Sequence, residues 1–166
     1  MNIEDLIENY SDSAQKQSRA IFSSIFIIGN KLQTIFDNNI PEISLKQFML
    51  LSMIRQSEIP LTLTQLGNLL GCSRQNIKKI AESLMKKGYI TFVKSSQDSR
   101  ATCIRITQKA NDFYENDFAK YQKDLKYLFD VYSSQEIEAL FTLLSKMYSG
   151  IENLKAKTSN KNVPDN

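Results

Sequence analysis

Residues 61–88 read LTLTQLGNLLGCSRQNIKKIAESLMKKG, and this stretch decides the fold. It predicts two helices, one before and one after a turn at Gly71, where glycine tolerates the tight or left-handed backbone that ends a helix. The first helix is expected to begin with Thr64 as its cap. Ser73 is expected to cap the second, and Gly88 to end it. Two short helices around a glycine turn predict a helix-turn-helix.

Apolar spacing predicts which faces of these helices are buried. On the first helix we expect Leu66, Leu69 and Leu70 to point inward. At about 100° per residue, the apolar residues of the second helix fall on one side. They are Ile77, Ile80, Ala81 and Leu84. The opposite side carries Gln75 and Lys79, one turn apart and directed outward.

The sequence on both sides extends the motif. Before it, Ser44 is expected to cap a helix that ends before Pro60. After it, Tyr89–Lys94 and Ala101–Ile106 have the β-branched and aromatic content of two strands, joined by a tip at 95–99. Residues 44–107 therefore predict a winged helix-turn-helix domain. The fold class is mainly α, with a small β-hairpin wing.

The flanking segments, 1–43 and 108–166, predict long amphipathic helices. Apolar residues recur at steps of four and three in three stretches: Ile21 to Ile35, Tyr114 to Leu128, and Leu140 to Leu154. Stripes of this kind need a surface to pack on, and a second copy of the chain supplies one. We therefore predict a helical dimerisation region and a homodimer. An intramolecular bundle is the alternative.

Charge is distributed unevenly. The net charge is only +3, but residues 44–107 hold ten basic side chains against three acidic ones. A positive segment between nearly neutral helices suits a polyanion, and with a helix-turn-helix the expected partner is double-stranded DNA. An incidental cluster of solvated charges is the alternative for this feature alone.

Candidate DNA-binding residues follow from how such a domain docks. The N-terminal half of a recognition helix enters the major groove, so Gln75 and Lys79 are the candidates for base contacts. Other polar residues of its first turns are expected to reach phosphates or bases: Ser73, Arg74, Asn76 and Lys78. On the wing, Lys94 and Arg100 flank the tip, and an arginine there suits the minor groove.

Several classes of function lack the residues they need. The chain has no histidine, and its two cysteines form no CxxC pair, which leaves no His-based catalysis and no zinc site. Its five glycines form neither GxGxxG nor GxxxxGK[ST]. The acidic first 20 residues do not resemble a signal peptide. We therefore expect a cytoplasmic protein that is not an enzyme and that has no cofactor, no metal and no contact with a membrane.

Three stretches resemble the MarR family of bacterial transcriptional regulators. They run from Leu61 to Ser73, from Leu84 to Ile90, and from Asp98 to Thr107. The last, DSRATCIRIT, is similar to the family's wing signature. The resemblance implies a dimeric regulator, more often a repressor, on a pseudo-palindromic site with half-sites about 10–10.5 bp apart. In many members an arginine pairs with the wing aspartate, but here Phe92 stands at that position, so we expect Asp98 to lack this partner.

The family resemblance also implies a small, often aromatic effector that binds between the dimerisation helices and the DNA-binding lobe. Five aromatic residues are candidates to line such a crevice: Phe22, Phe26, Phe48, Tyr114 and Phe118. Aromatic stripes on helices also form ordinary core, which is the alternative for these residues.

Two further alternatives concern function. A thiol-based redox sensor could use Cys72, which precedes a helix N-terminus, or Cys103, which strand alternation places with Arg105 on the outward face. A winged-helix protein–protein adaptor would bind no DNA, and its binding would survive salt.

Overall fold

The computed structural model describes residues 3–95 and 101–159. The chain forms two compact units, residues 1–121 and 122–166. The first unit is mainly helical and contains a three-stranded antiparallel sheet. Its helix, helix, turn, helix, hairpin order confirms the predicted winged helix-turn-helix.

In the first unit the helices and strands are α1 (Ile3–Asn9), α2 (Ala14–Asn39), α3 (Leu45–Gln56), β1 (Leu61–Thr62), α4 (Leu63–Leu70), α5 (Arg74–Lys86), β2 (Ile90–Lys94), β3 (Thr102–Ile106) and α6 (Gln108–Phe113). A π-helical turn at Tyr114–Phe118 leads into α7 (Ala119–Asp124), which crosses into the second unit. That unit contains α8 (Lys126–Phe129) and α9 (Ser134–Ser159).

Side-chain N-caps are present at the starts of α3, α4 and α5. Ser44 and Ser73 cap α3 and α5 as predicted. The predicted cap of α4 was wrong, because Thr62 rather than Thr64 accepts the backbone N–H of Gln65, at 3.2 Å. In turn, the Gln65 side-chain oxygen accepts the backbone N–H of Thr62, and the two hydrogen bonds form a capping box. The helix therefore begins two residues earlier than expected.

Three glycines shape the motif. Gly71 ends α4 with φ 65°, and Gly88 follows α5 with φ 80°, as the left-handed ends of helices require. Gly67 has a different role, because it lies where α4 meets the turn before α5. A Cβ at Gly67 would stand 2.7 Å from the Cys72 carbonyl oxygen, which belongs to the backbone and cannot rotate away.

Gly67→Ala is therefore expected to push the turn away from α4 and to lower the free energy of unfolding by about 1–3 kcal/mol, as overpacking does. Chemical denaturation of the variant measures this loss. Gly29→Ala is the matched control, because open space surrounds that position on α2. An equal effect at both sites would contradict the steric explanation.

The core lies between α3, α4, α5 and the sheet. On α5, Ile77, Ala81 and Leu84 are buried and Ile80 packs against them, which confirms the predicted core face. On α4 the prediction for Leu69 was wrong, because this side chain is 60% exposed. The buried arc of α4 is centred on Leu63, Leu66 and Gly67, where α5 approaches closely, and Leu69 lies beyond its edge.

The sheet order is β1-β3-β2. Both hairpin strands form within a residue of their predicted bounds, and the two-residue strand β1, which was not predicted, pairs Leu61 with Ile104. The predicted exposure of Cys103 was wrong, because its side chain is only 2% exposed. Cys103 lies on the middle strand between Thr62 and Val93, where neighbours on both sides cover a short side chain.

Outside this core, the two longest helices leave apolar side chains in solvent. On α2 the exposed residues are Ile21, Phe22, Ile25, Phe26, Ile28 and Ile35. On α9 they are Ile137, Phe141, Leu143, Leu144, Met147, Tyr148, Ile151 and Leu154. Within the described ranges, no helix is long and apolar enough to cross a membrane.

Candidate nucleic-acid interface

The start of α5 presents polar groups to solvent. The Ser73 hydroxyl accepts the backbone N–H of Asn76 at 3.2 Å, which occupies the cap of the helix. Arg74, Gln75 and Asn76 are exposed in the first turn. An exposed helix N-terminus with an adjacent guanidinium favours an anion electrostatically.

One turn further along α5, Lys78 and Lys79 are also exposed. The ammonium of Lys78 lies 3.7 Å from the Glu82 carboxylate, an ion pair between exposed side chains on successive turns. Solvent screens such a pair strongly, so Lys78 remains able to exchange the carboxylate for a phosphate. The exposed side of α5 therefore carries cations and amides along its first two turns.

Other cations of the basic segment have intramolecular roles. The Arg55 guanidinium lies 4.4 Å from the centre of the Tyr114 ring. Lys87 donates to the Glu42 carbonyl oxygen at 2.7 Å and to Gln47 Oε1 at 3.0 Å. The positive charge counted from the sequence is therefore divided between the candidate interface and the scaffold.

The wing is described only in part. Lys94 is exposed at the end of β2, and Arg105 is exposed on β3. Arg100 and Asp98 lie outside the described residues. Phe92 is half-buried, pairs with Ile104 and packs against the core. It stands where many proteins of the family that this sequence resembles have an arginine. The root of the wing is thus held by apolar packing at this position.

The five candidate effector residues fall into two groups. Phe48, Tyr114 and Phe118 pack together, with ring centroids 4.3 Å apart for Phe48 and Phe118 and 5.7 Å for each contact with Tyr114. Phe22 and Phe26 form a separate edge-to-face pair at 5.1 Å on the exposed side of α2. A surface groove of about 260 Å³ lies elsewhere, between the end of α3 and β3.

Two buried tyrosines belong to the scaffold of the site. Desolvation and the hydrogen bond to Glu42 raise the pKa of Tyr89 well above its usual range, and desolvation raises the pKa of Tyr114. A raised tyrosine pKa keeps the phenol neutral at physiological pH, so both act as hydrogen-bonding groups and not as bases.

The cysteines are both free thiols, with Cys72 half-buried and Cys103 buried. Cys72 Sγ donates to the Leu70 carbonyl oxygen at 3.5 Å. In the described part of the chain, no group of three or more Cys, Asp or Glu side chains is arranged to hold a metal ion.

The role of one polar residue of the scaffold was not predicted from the sequence. Gln47, on α3, is buried and contacts α5 through Ser83. A signal was present, because Ser44 followed three residues later by Gln47 is the pattern of a capping box. That pattern predicts the bond to Ser44 but says nothing of contacts with α5.

The chain is similar to known regulators. The sequence profile of the MarR family matches residues 43–102. An uncharacterized HTH-type transcriptional regulator of Bacillus subtilis, YpoP, is 27% identical over 120 residues, which cover 72% of this chain and 82% of that protein.

Solved structures share the fold. A MarR protein from Peptoclostridium difficile superposes with a TM-score of 0.73 at 24% identity, over 83% of this chain and 91% of that one. The S. aureus MepR–DNA complex gives a TM-score of 0.68 at 20% identity, over 78% and 97% of the two chains.

Proposed function

We propose that the chain is a DNA-binding transcriptional regulator of the MarR family, whose profile matches its winged-helix segment, and that it binds a pseudo-palindromic operator as a homodimer. Each copy places α5 in the major groove, with half-sites about 10–10.5 bp apart. The observation that carries this proposal is the exposed face of α5, where Gln75 and Lys79 stand opposite an apolar core face and Arg74 is exposed in the first turn.

The exposed stripes of α2 and α9 support the homodimer. Large apolar patches on a soluble protein mark surfaces that a partner covers, and a second copy of the chain presents the same patches. We infer that the segments 1–43 and 108–166 form the dimerisation region and that 44–107 form the DNA-binding domain. As a regulator of transcription it acts where the DNA is, in the cytoplasm.

The finer regulatory proposal is a repressor relieved by a small aromatic effector. Its support is the cluster of Phe48, Tyr114 and Phe118, which joins α3 of the DNA-binding domain to the helices that follow it. An aromatic molecule that inserts beside these rings would change the packing between the two segments.

The test of DNA binding is the salt dependence of affinity. Fluorescence anisotropy is measured on a duplex selected from random sequence by the wild-type protein. If the dimer neutralises about eight phosphates, the logarithm of the association constant falls against the logarithm of salt with a slope of about −7. A flat dependence would favour a protein–protein adaptor.

Two single variants separate base contacts from phosphate contacts. Gln75→Ala is expected to lower operator affinity by about 1–3 kcal/mol and to relax discrimination at particular base pairs, because a glutamine amide pairs with adenine. Arg100→Ala is expected to weaken binding about equally on all sequences. Affinities for the operator and for its single-base variants measure both effects. If both variants bind as the wild type does, the proposed mode of recognition is wrong.

A further inference from the structure

Gln47 connects the start of α3 to the C-terminal part of α5. Its Oε1 accepts the backbone N–H of Ser44 at 3.1 Å, which closes the capping box of α3. Its Nε2 donates to Ser83 Oγ on α5 at 2.9 Å. Among the residues that the structure describes, Gln47 is the one buried residue with an amide or charged side chain, and it is 9% exposed.

Lys87 completes this connection. Its ammonium donates to Gln47 Oε1 at 3.0 Å and to the Glu42 carbonyl oxygen at 2.7 Å. Glu42 lies in the connection between α2 and α3, and its carboxylate accepts the Tyr89 hydroxyl at 2.6 Å. The C-terminal end of α5 is thus held by side-chain bonds to α3 and to the segment that precedes it. Leaving the buried Gln47 amide without these partners would cost free energy, so the position of this side chain is well determined.

The hydrogen bonds of Gln47 and Lys87 lie at the C-terminal end of α5, so a small tilt there displaces the N-terminal end of the helix. Gln75 lies twelve residues before Lys87, which is about 18 Å along a helix at about 1.5 Å per residue. A tilt of about 5° at the anchored end moves the other end by about 1.5 Å, which is enough to break a hydrogen bond. Apolar contacts at Ile77 and Leu84 hold the helix on the core, but they are not directional.

We propose that Gln47 and Lys87 are positioning residues, which set the angle of the recognition helix and thereby DNA affinity without touching DNA. This proposal rests on the proposed function, since it assumes that α5 enters the major groove. It adds two residues that contribute to recognition through Gln75 and Lys79.

The experiment compares three variants by anisotropy on the selected duplex, at a temperature where circular dichroism shows each of them fully folded. Gln47→Met keeps the length of the side chain and removes its polar atoms. We expect affinity about tenfold lower, the loss of roughly one good base contact, with an unchanged salt slope because no phosphate contact is removed. Gln47→Glu retains acceptors for Ser44 and Lys87, and the Ser83 hydroxyl can reverse its role and donate. We expect this variant to recover most of the affinity.

Gln65→Met is the matched control, because Gln65 occupies the same place in the capping box of α4 and bonds to Thr62. We expect it to lower the melting temperature while affinity stays within about twofold of the wild type. Wild-type affinity in Gln47→Met, a loss in Gln47→Glu as large as in Gln47→Met, or an equal loss in Gln65→Met would overturn the positioning role alone. Failure of the wild-type protein to bind any duplex would overturn the proposed function and this inference together.

Discussion

The double substitution Leu144→Glu with Ile151→Glu is expected to convert the proposed homodimer into a monomer and to weaken operator binding by about 10²- to 10⁴-fold. Both side chains are exposed on the apolar stripe of α9, at 48% and 47%. In a homodimer that buries this stripe, four carboxylates would lose water without gaining partners, which is far costlier than the loss of apolar contact. A monomer engages one half-site at a time and loses the avidity of the second.

Sedimentation velocity and anisotropy measure the two effects on the same samples. The matched control is Thr142→Glu with Asn153→Glu, which adds the same charge to the same helix on its polar side, where both residues are exposed. We expect this control to remain dimeric and to bind with affinity close to that of the wild type. A Leu144→Glu, Ile151→Glu protein that stays dimeric would show that α9 does not form the interface through this stripe.

Leu66→Ala is expected to lower the free energy of unfolding by about 2–5 kcal/mol, whereas Leu69→Ala changes it by about 0.5 kcal/mol or less. The two leucines lie three residues apart on α4, and the substitution removes the same atoms from each. Leu66 is 0% exposed in the core, and its loss leaves a cavity between α4 and its neighbours, while Leu69 is largely in solvent.

Urea denaturation of both variants at one protein concentration measures the difference, since the stability of a dimer depends on concentration. Equal losses would contradict the burial pattern of α4, in which Leu66 is buried and Leu69 is exposed.

Local signals in the sequence located most of the elements. Ser44 and Ser73 accept free N–H groups at a helix start, and Gly71 and Gly88 take up the left-handed backbone at a helix end. The starts of α3 and α5 and the ends of α4 and α5 could therefore be predicted. The apolar face of α5 followed from its period in the same way. Thr64 was the wrong cap for α4, because Thr62 two residues earlier has the same chemistry and sequence alone does not rank the two.

Some features of the candidate site could be predicted from the sequence and others could not. The exposed residues at the start of α5 could be named from the sequence, because side chains opposite a buried face must point outward. Their use in DNA recognition remains a prediction for the experiments above. The internal roles of Lys87 and Arg55 could not be predicted, since their partners Glu42, Gln47 and Tyr114 are distant along the chain.

By itself, then, the sequence determined the type and order of the elements of the winged domain and the buried face of α5. These depend on interactions within a few residues, whose energies are set by local spacing. Only the tertiary structure decided that Cys103 is covered by strands on both sides, that Leu69 lies outside the core, and that Gln47 reaches Ser83. Each of these depends on which distant surfaces meet and how closely, and periodicity carries no information about that distance.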